Sequence, residues 1–134
     1  MNPLFHEIFQ KTRFLNKELN LVLKEHHLFA SQWSVLYCIH KHGDMSLTEI
    51  WKYLNVEAPT VTRTVNRLVE LGWLVIGEGA DRRERIVKLS TEASRDFPDI
   101  EEAVIRFENK FLKRLSTVEQ LQLMELLSKM EVEG

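Results

Sequence analysis

The feature that most restricts the fold of this chain is the punctuation between Ser46 and Gly72, where start and stop signals frame two amphipathic segments. Ser46-Leu47-Thr48-Glu49 is a capping-box pattern, in which a hydroxyl and a carboxylate three residues on can each satisfy a backbone N–H left free at a helix start. Behind it, Leu47, Ile50, Trp51 and Leu54 recur at helical spacing and define one inward face. Asn55 tolerates the left-handed conformation and ends that helix. Pro59 suits the first turn of the next helix, where its missing N–H would have no partner anyway. Val61, Val65, Leu68 and Val69 then form an inward stripe up to the stop at Gly72. Two helices with apolar inner faces, joined by about four residues, predict a helix-turn-helix.

The flanking segments extend this reading. Trp73 to Ile76 is a short apolar run, and Arg85-Ile86-Val87-Lys88-Leu89 reads as a second strand with Val87 and Leu89 on one face. Between them, Gly77 to Glu84 is a glycine-containing polar loop with a charged tip. A hairpin directly after a helix-turn-helix is a wing. Upstream, Asn2 and Pro3 read as cap and first residue of a long helix, with Leu4, Ile8, Leu15, Leu19, Val22 and Leu23 recurring to about Glu25. Ser31 is the expected cap of a second helix, with Trp33, Leu36, Tyr37 and His40 on one stripe and Gly43 as its end. Downstream, Ser90 and Thr91 open a long helical segment ending near Leu115, which Pro98 is expected to kink or divide, with Asp96 as the new cap. Ser116 and Glu119 form a second capping box for a last helix, apolar at Leu123, Leu126, Leu127 and Met130. The expected class is mainly α with a small β-hairpin wing.

A chain of 134 residues, 44% apolar, suits one domain with its own core. No apolar run approaches the ~18 residues of a membrane span, and the first residues lack a basic segment leading into an apolar signal core, so a cytoplasmic protein with no membrane partner is expected. The single cysteine, Cys38, excludes an intrachain disulfide and a cysteine-cluster zinc site, and reads as a buried structural residue. Glu25-His26-His27 is a weak metal pattern, and no histidine follows His42, so neither metal nor cofactor is expected. Trp33, Trp51 and Trp73 read as core anchors. With no glycine-rich phosphate loop, nucleophile elbow or acid pair, the chain does not read as an enzyme. Net charge is −2, yet residues 58 to 90 carry 6 Lys/Arg against 4 Asp/Glu, whereas residues 91 to 134 carry 6 against 10. A phosphate-binding surface is therefore expected in the middle of the chain.

On a helical wheel, the direction opposite Val65 is occupied by Thr60, Arg63 and Arg67, flanked by Pro59, Thr64 and Asn66. A helix fits the major groove, where arginine can pair two donors with guanine, and threonine or asparagine can meet base edges or phosphate. The plainer alternative is that these arginines only solubilise an exposed face. Against it, Glu57 and Glu70 are confined to the two ends of the helix. At the hairpin tip an arginine could enter the neighbouring minor groove, and Asp81, two residues from Arg83, could hold that guanidinium by a forked hydrogen-bonded pair. The candidate DNA-binding residues are Thr60, Thr62, Arg63, Thr64, Asn66 and Arg67 in the recognition helix and Asp81, Arg82, Arg83 and Arg85 in the wing.

Ser46 to Ile50, Val61 to Gly72, and Asp81-Arg82-Arg83 to Leu89-Ser90 together resemble the helix-turn-helix and Asp-x-Arg wing of the multiple-antibiotic-resistance regulator (MarR) family. The resemblance implies a single domain over residues 1 to 134, with a winged helix-turn-helix at about 31 to 90 and dimerisation helices at about 1 to 25 and 91 to 134. It implies a transcription regulator, a repressor, that binds double-stranded DNA as a homodimer on a pseudo-palindromic operator. Thr60, Arg63, Thr64 and Arg67 would then contact the major groove and Arg83 the minor groove, with Asp81 orienting Arg83. It also admits a small-molecule effector, which no residue here identifies. Two departures from the family pattern are Ala93, where a glycine is usual, and Pro98 within the fifth helix. The competing reading is a winged-helix protein-docking module without DNA binding, which would expose large apolar anchors on the fourth helix.

Overall fold

Among the described residues, five of the six α-helices begin where a side chain takes up free backbone N–H groups, and not all of those side chains are local. In the computed structural model, which describes residues 1–79 and 84–132, helix α1 (Pro3–Leu23) opens on Asn2, whose Oδ1 accepts the Leu4 N–H at 2.9 Å. It closes through a short 3₁₀ turn, Lys24–His26, and a left-handed His27. Helix α2 (Ala30–His42) does not use Ser31 as its cap. Phe29 holds that position and has no acceptor to offer. Gln32 Oε1 accepts the Phe29 N–H at 2.9 Å, and Asn20 Oδ1, from α1, accepts the Ala30 N–H at 2.7 Å. The start of α2 is thus fixed by α1, a contact that no local motif announces.

Most of the circumference of α2 is buried, including Trp33, Val35, Leu36, Cys38 and Ile39. Tyr37 and His40, expected on the inward stripe, are exposed at the rim. His40 lies over the ring of Phe97 at a centroid distance of 4.0 Å, and Trp33 stacks on the same ring at 5.0 Å. Trp51 and Trp73 pack, half-buried, against the same core.

Strand β1 (Met45–Ser46) leads into α3 (Leu47–Leu54), where the capping box closes as expected: Glu49 N–H to Ser46 Oγ and Ser46 N–H to Glu49 Oε1, both at 3.1 Å. These bonds stabilise the ionised carboxylate and hold Glu49 below the ordinary carboxylate range. Asn55 ends α3 at φ 55°, and three residues later α4 (Ala58–Glu70) begins. Ile50 on α3 and Val61, Val65 and Leu68 on α4 are buried, locking the two helices onto α2. Gly72 ends this unit at φ 87°, a conformation that a side chain would strain.

Strands β2 (Leu74–Glu78) and β3 (Arg85–Leu89) form the antiparallel hairpin, in register from Leu74 opposite Leu89 to Glu78 opposite Arg85. Gly77 and Glu78, expected in the loop, belong to the strand because hairpin register rather than residue preference carries the pairing outward. Gly79 continues it, donating to the Glu84 carbonyl, and a Cβ there would sit only 3.0 Å from Ile86 Cγ1. The sheet order is β1-β3-β2, with Met45 opposite Val87. A two-residue strand carries no alternation, so β1 had no sequence signature.

Helix α5 (Thr91–Phe111) is one continuous helix: Pro98 lies within it and Asp96 caps nothing. Pro98 and Ser94, whose carbonyl loses the usual helical partner, are both at exposed positions where water can substitute. Phe97 and Ile100, on either side, are buried and hold both halves to the core. Helix α6 (Thr117–Ser128) starts at the second capping box as expected. Its apolar side chains Leu123, Leu126 and Leu127, and Met130 beyond it, are exposed in the single chain, as are Leu4, Phe5 and Phe9 on α1.

Ser90 joins the end of the hairpin to α5 and the loop after α4. Its Oγ donates to the Gly72 carbonyl at 2.7 Å and accepts the Ala93 N–H at 3.0 Å, in a buried position. Ser90→Ala should lower stability by about 1–2 kcal/mol, because a buried N–H and a part-buried carbonyl lose their partner; an unchanged denaturant midpoint would contradict this. Cys38 is buried, its Sγ 3.2 Å from Met45 Sδ, and burial pushes the thiol up. A thiol reagent should therefore modify Cys38 only on unfolding, and rapid stoichiometric labelling of the native protein would contradict this placement.

Candidate nucleic-acid interface

Because Val61, Val65 and Leu68 anchor one side of α4, the opposite side is committed to solvent. Thr60, Arg63, Asn66 and Arg67 are exposed there, with Thr62 and Thr64 half-buried at its margins. Among the described residues, α4 exposes no large apolar side chain. The face is therefore polar and, through two guanidinium groups on successive turns, cationic.

Hydrogen bonding within the helix makes the members of this face unequal. Thr62 Oγ1 donates to the Ala58 carbonyl at 2.9 Å, and Thr64 Oγ1 to the Thr60 carbonyl at 3.0 Å. With their protons so engaged, both hydroxyls present acceptors outward and suit base amino groups better than phosphate. Arg63 Nη2 leans on Thr60 Oγ1 at a long 3.4 Å, leaving the Thr60 proton available to an acceptor. Arg67 differs: its Nη1 lies 3.0 Å from Glu70 Oε2, in a pair exposed by more than half on both sides. Such a pair contributes only about 0–1 kcal/mol, but it sets where the guanidinium points. Glu70, taken in the sequence as merely terminal, is the residue of this face that sequence reasoning missed. The available signal was its i,i+3 spacing from Arg67.

The hairpin places Arg85 beside the start of α3. Arg85 is exposed at the start of β3, and with Glu84 it borders a groove of about 430 Å³ shared with Ser46 to Glu49 at the start of α3. Lys88, the other cation of β3, is turned towards Asp44 at 3.7 Å. Asp81, Arg82 and Arg83 lie outside the described residues. Among the described residues, no three His, Cys, Asp or Glu side chains converge in a manner that could hold a metal ion. No described helix is long and apolar enough to cross a membrane.

Comparison with known proteins gives these features a context. The MarR family model matches residues 28–75, which run from just before α2 into β2. YwoH, an HTH-type transcriptional regulator of Bacillus subtilis (strain 168), is 47% identical over 109 residues, 81% of this chain and 80% of its own length. Among solved structures, a mutant MarR from E. coli complexed with operator DNA matches with a TM-score of 0.89 at 27% identity, over 98% of this chain and 95% of its own. The apo form of wild-type E. coli MarR, also 27% identical, matches with a TM-score of 0.78 over 98% of each chain. The chain belongs to the MarR family of winged helix-turn-helix transcriptional regulators.

Proposed function

We propose that this protein binds double-stranded DNA sequence-specifically as a homodimer, placing α4 of each protomer in successive major grooves of a pseudo-palindromic operator and repressing transcription from it. The observation that carries this reading is the outward face of α4, where Thr60, Arg63, Asn66 and Arg67 are displayed without any large apolar side chain. A protein-docking surface of similar size would bury aromatic or aliphatic anchors, and this face has none to offer. The backbone also matches the operator-bound E. coli relative more closely than its apo form.

The dimer is supported by the apolar side chains that a single chain leaves in water. Leu4, Phe5 and Phe9 on α1 and Val118, Leu121, Met124 and Leu127 on α6 are all exposed, a loading of the terminal helices that self-association would relieve. A two-fold axis duplicates the reading head and makes half-site spacing a geometric quantity. Repression follows if the operator overlaps a promoter, since a bound dimer then occludes polymerase. In this reading Thr60, Thr62, Arg63, Thr64, Asn66 and Arg67 meet the major groove. Arg82, Arg83 and Arg85 serve the wing, with Arg83 in the minor groove and aimed by Asp81.

The test is binding to DNA selected from genomic fragments. Arg63→Ala should reduce operator affinity by about 1–3 kcal/mol and relax preference at the base pair it reads. For the intact protein, affinity should fall by roughly 10³ to 10⁵ between 50 and 200 mM salt if six to ten phosphates are contacted. Full affinity in the variant, or a flat salt profile, would contradict the reading. Arg83→Ala should weaken operator binding by a similar 1–3 kcal/mol, and an unchanged affinity would remove the wing contact alone.

A further inference from the structure

We infer that Glu70 is a positioning residue of the reading face: it holds the Arg67 guanidinium so that this side chain discriminates between base pairs instead of settling on the nearest phosphate. The inference rests on the DNA-binding reading above and extends it to a residue that touches no DNA itself. Two arginines stand one turn apart on the same exposed face, in different electrostatic situations. Arg63 leans on a neutral hydroxyl, Thr60 Oγ1, at 3.4 Å. Arg67 donates from Nη1 to a carboxylate, Glu70 Oε2, at 3.0 Å.

That difference has consequences in a phosphate field. An untethered guanidinium on a long, exposed side chain is drawn to whichever phosphate is closest, and the resulting counterion release favours every sequence alike. A carboxylate hydrogen-bonded to one Nη–H offsets that charge and fixes the plane of the fork, while the remaining N–H donors stay available to a guanine edge. The tether therefore weakens binding to arbitrary DNA more than binding to a sequence that presents the matching acceptors. Helix energetics gives Glu70 no comparable role: it is the last residue of α4, where the negative end of the helix dipole disfavours a carboxylate. The same dipole favours Arg67, which stands in the last turn of the helix, so the pair joins a well-placed cation to an ill-placed anion.

The experiment compares wild type, Glu70→Gln, Arg67→Ala and the double variant on the selected operator and on a scrambled duplex of equal length, across a salt series. Gln keeps the size of the side chain at an exposed position, and loss of an exposed ion pair should leave the denaturant midpoint in place. In the wild-type background, Glu70→Gln should raise affinity for the scrambled duplex and steepen its salt slope by about 0.9, as one further phosphate is neutralised. The ratio of operator to scrambled affinity should fall by about fivefold or more. In the Arg67→Ala background, the same substitution should change both affinities by one common factor and leave the ratio alone, because the group that Glu70 positions is gone. A uniform change on both duplexes in the wild-type background, or no change, would overturn the inference while the DNA-binding reading stands. Wild-type protein that binds neither duplex would remove both.

Discussion

Burial of one stripe of α4 decides what the rest of the molecule can do. Val61, Val65 and Leu68 are almost fully removed from water, each contributing about 1.5–3 kcal/mol. Their spacing leaves no rotation of the helix that would keep them buried and also bury the other face. Thr60, Arg63 and Arg67 are exposed because they lie on the side of the helix opposite that stripe. Everything around α4 serves that orientation: α2 and α3 form the surface it packs on, and the hairpin that follows Gly72 closes the side. Ser90 then bonds the loop after α4 to the start of α5, so the reading head is fastened to a helix that continues away from it.

Much of this was legible because the responsible interactions are local. Capping boxes at Ser46 and Ser116, the left-handed stop at Asn55, the proline at the start of α4 and the Gly72 stop each act within four residues, and all of them occur as expected. The elements that escaped are held from a distance. The start of α2 depends on Asn20 ten residues upstream, and the two-residue β1 exists only because β3 is beside it. The division expected at Pro98, with Asp96 as a new cap, does not occur, for a related reason. A local rule would break the helix, yet burial of Phe97 and Ile100 against the rest of the core keeps it continuous while the proline faces water.

The candidate interface was legible to the same depth. Periodicity identified which residues of α4 face outward, since that follows from one buried stripe. It did not show how those residues are engaged with one another. Thr62 and Thr64 turn their protons into the helix, and Arg67 is held by Glu70, so a face that looks uniform as a list of polar residues divides into acceptors, an uncommitted cation and a tethered one. These distinctions depend on rotamers, which spacing constrains only weakly. Against a net charge of −2, the division also matters for function. A protein without bulk positive charge gains selectivity from where its few cations point more than from how many it has.

The central claim is that α4 enters the major groove through the face opposite its buried stripe, twice per complex. Methylation interference on the selected operator tests this most directly, since guanine N7 lies in the major groove and carries the acceptor that arginine reads. Two clusters of interfering N7 positions are expected, one in each half-site, with centres about 10–10.5 base pairs or a multiple of that apart. Binding that is indifferent to N7 methylation throughout the site, or that depends on a single cluster without a symmetry mate, would contradict it.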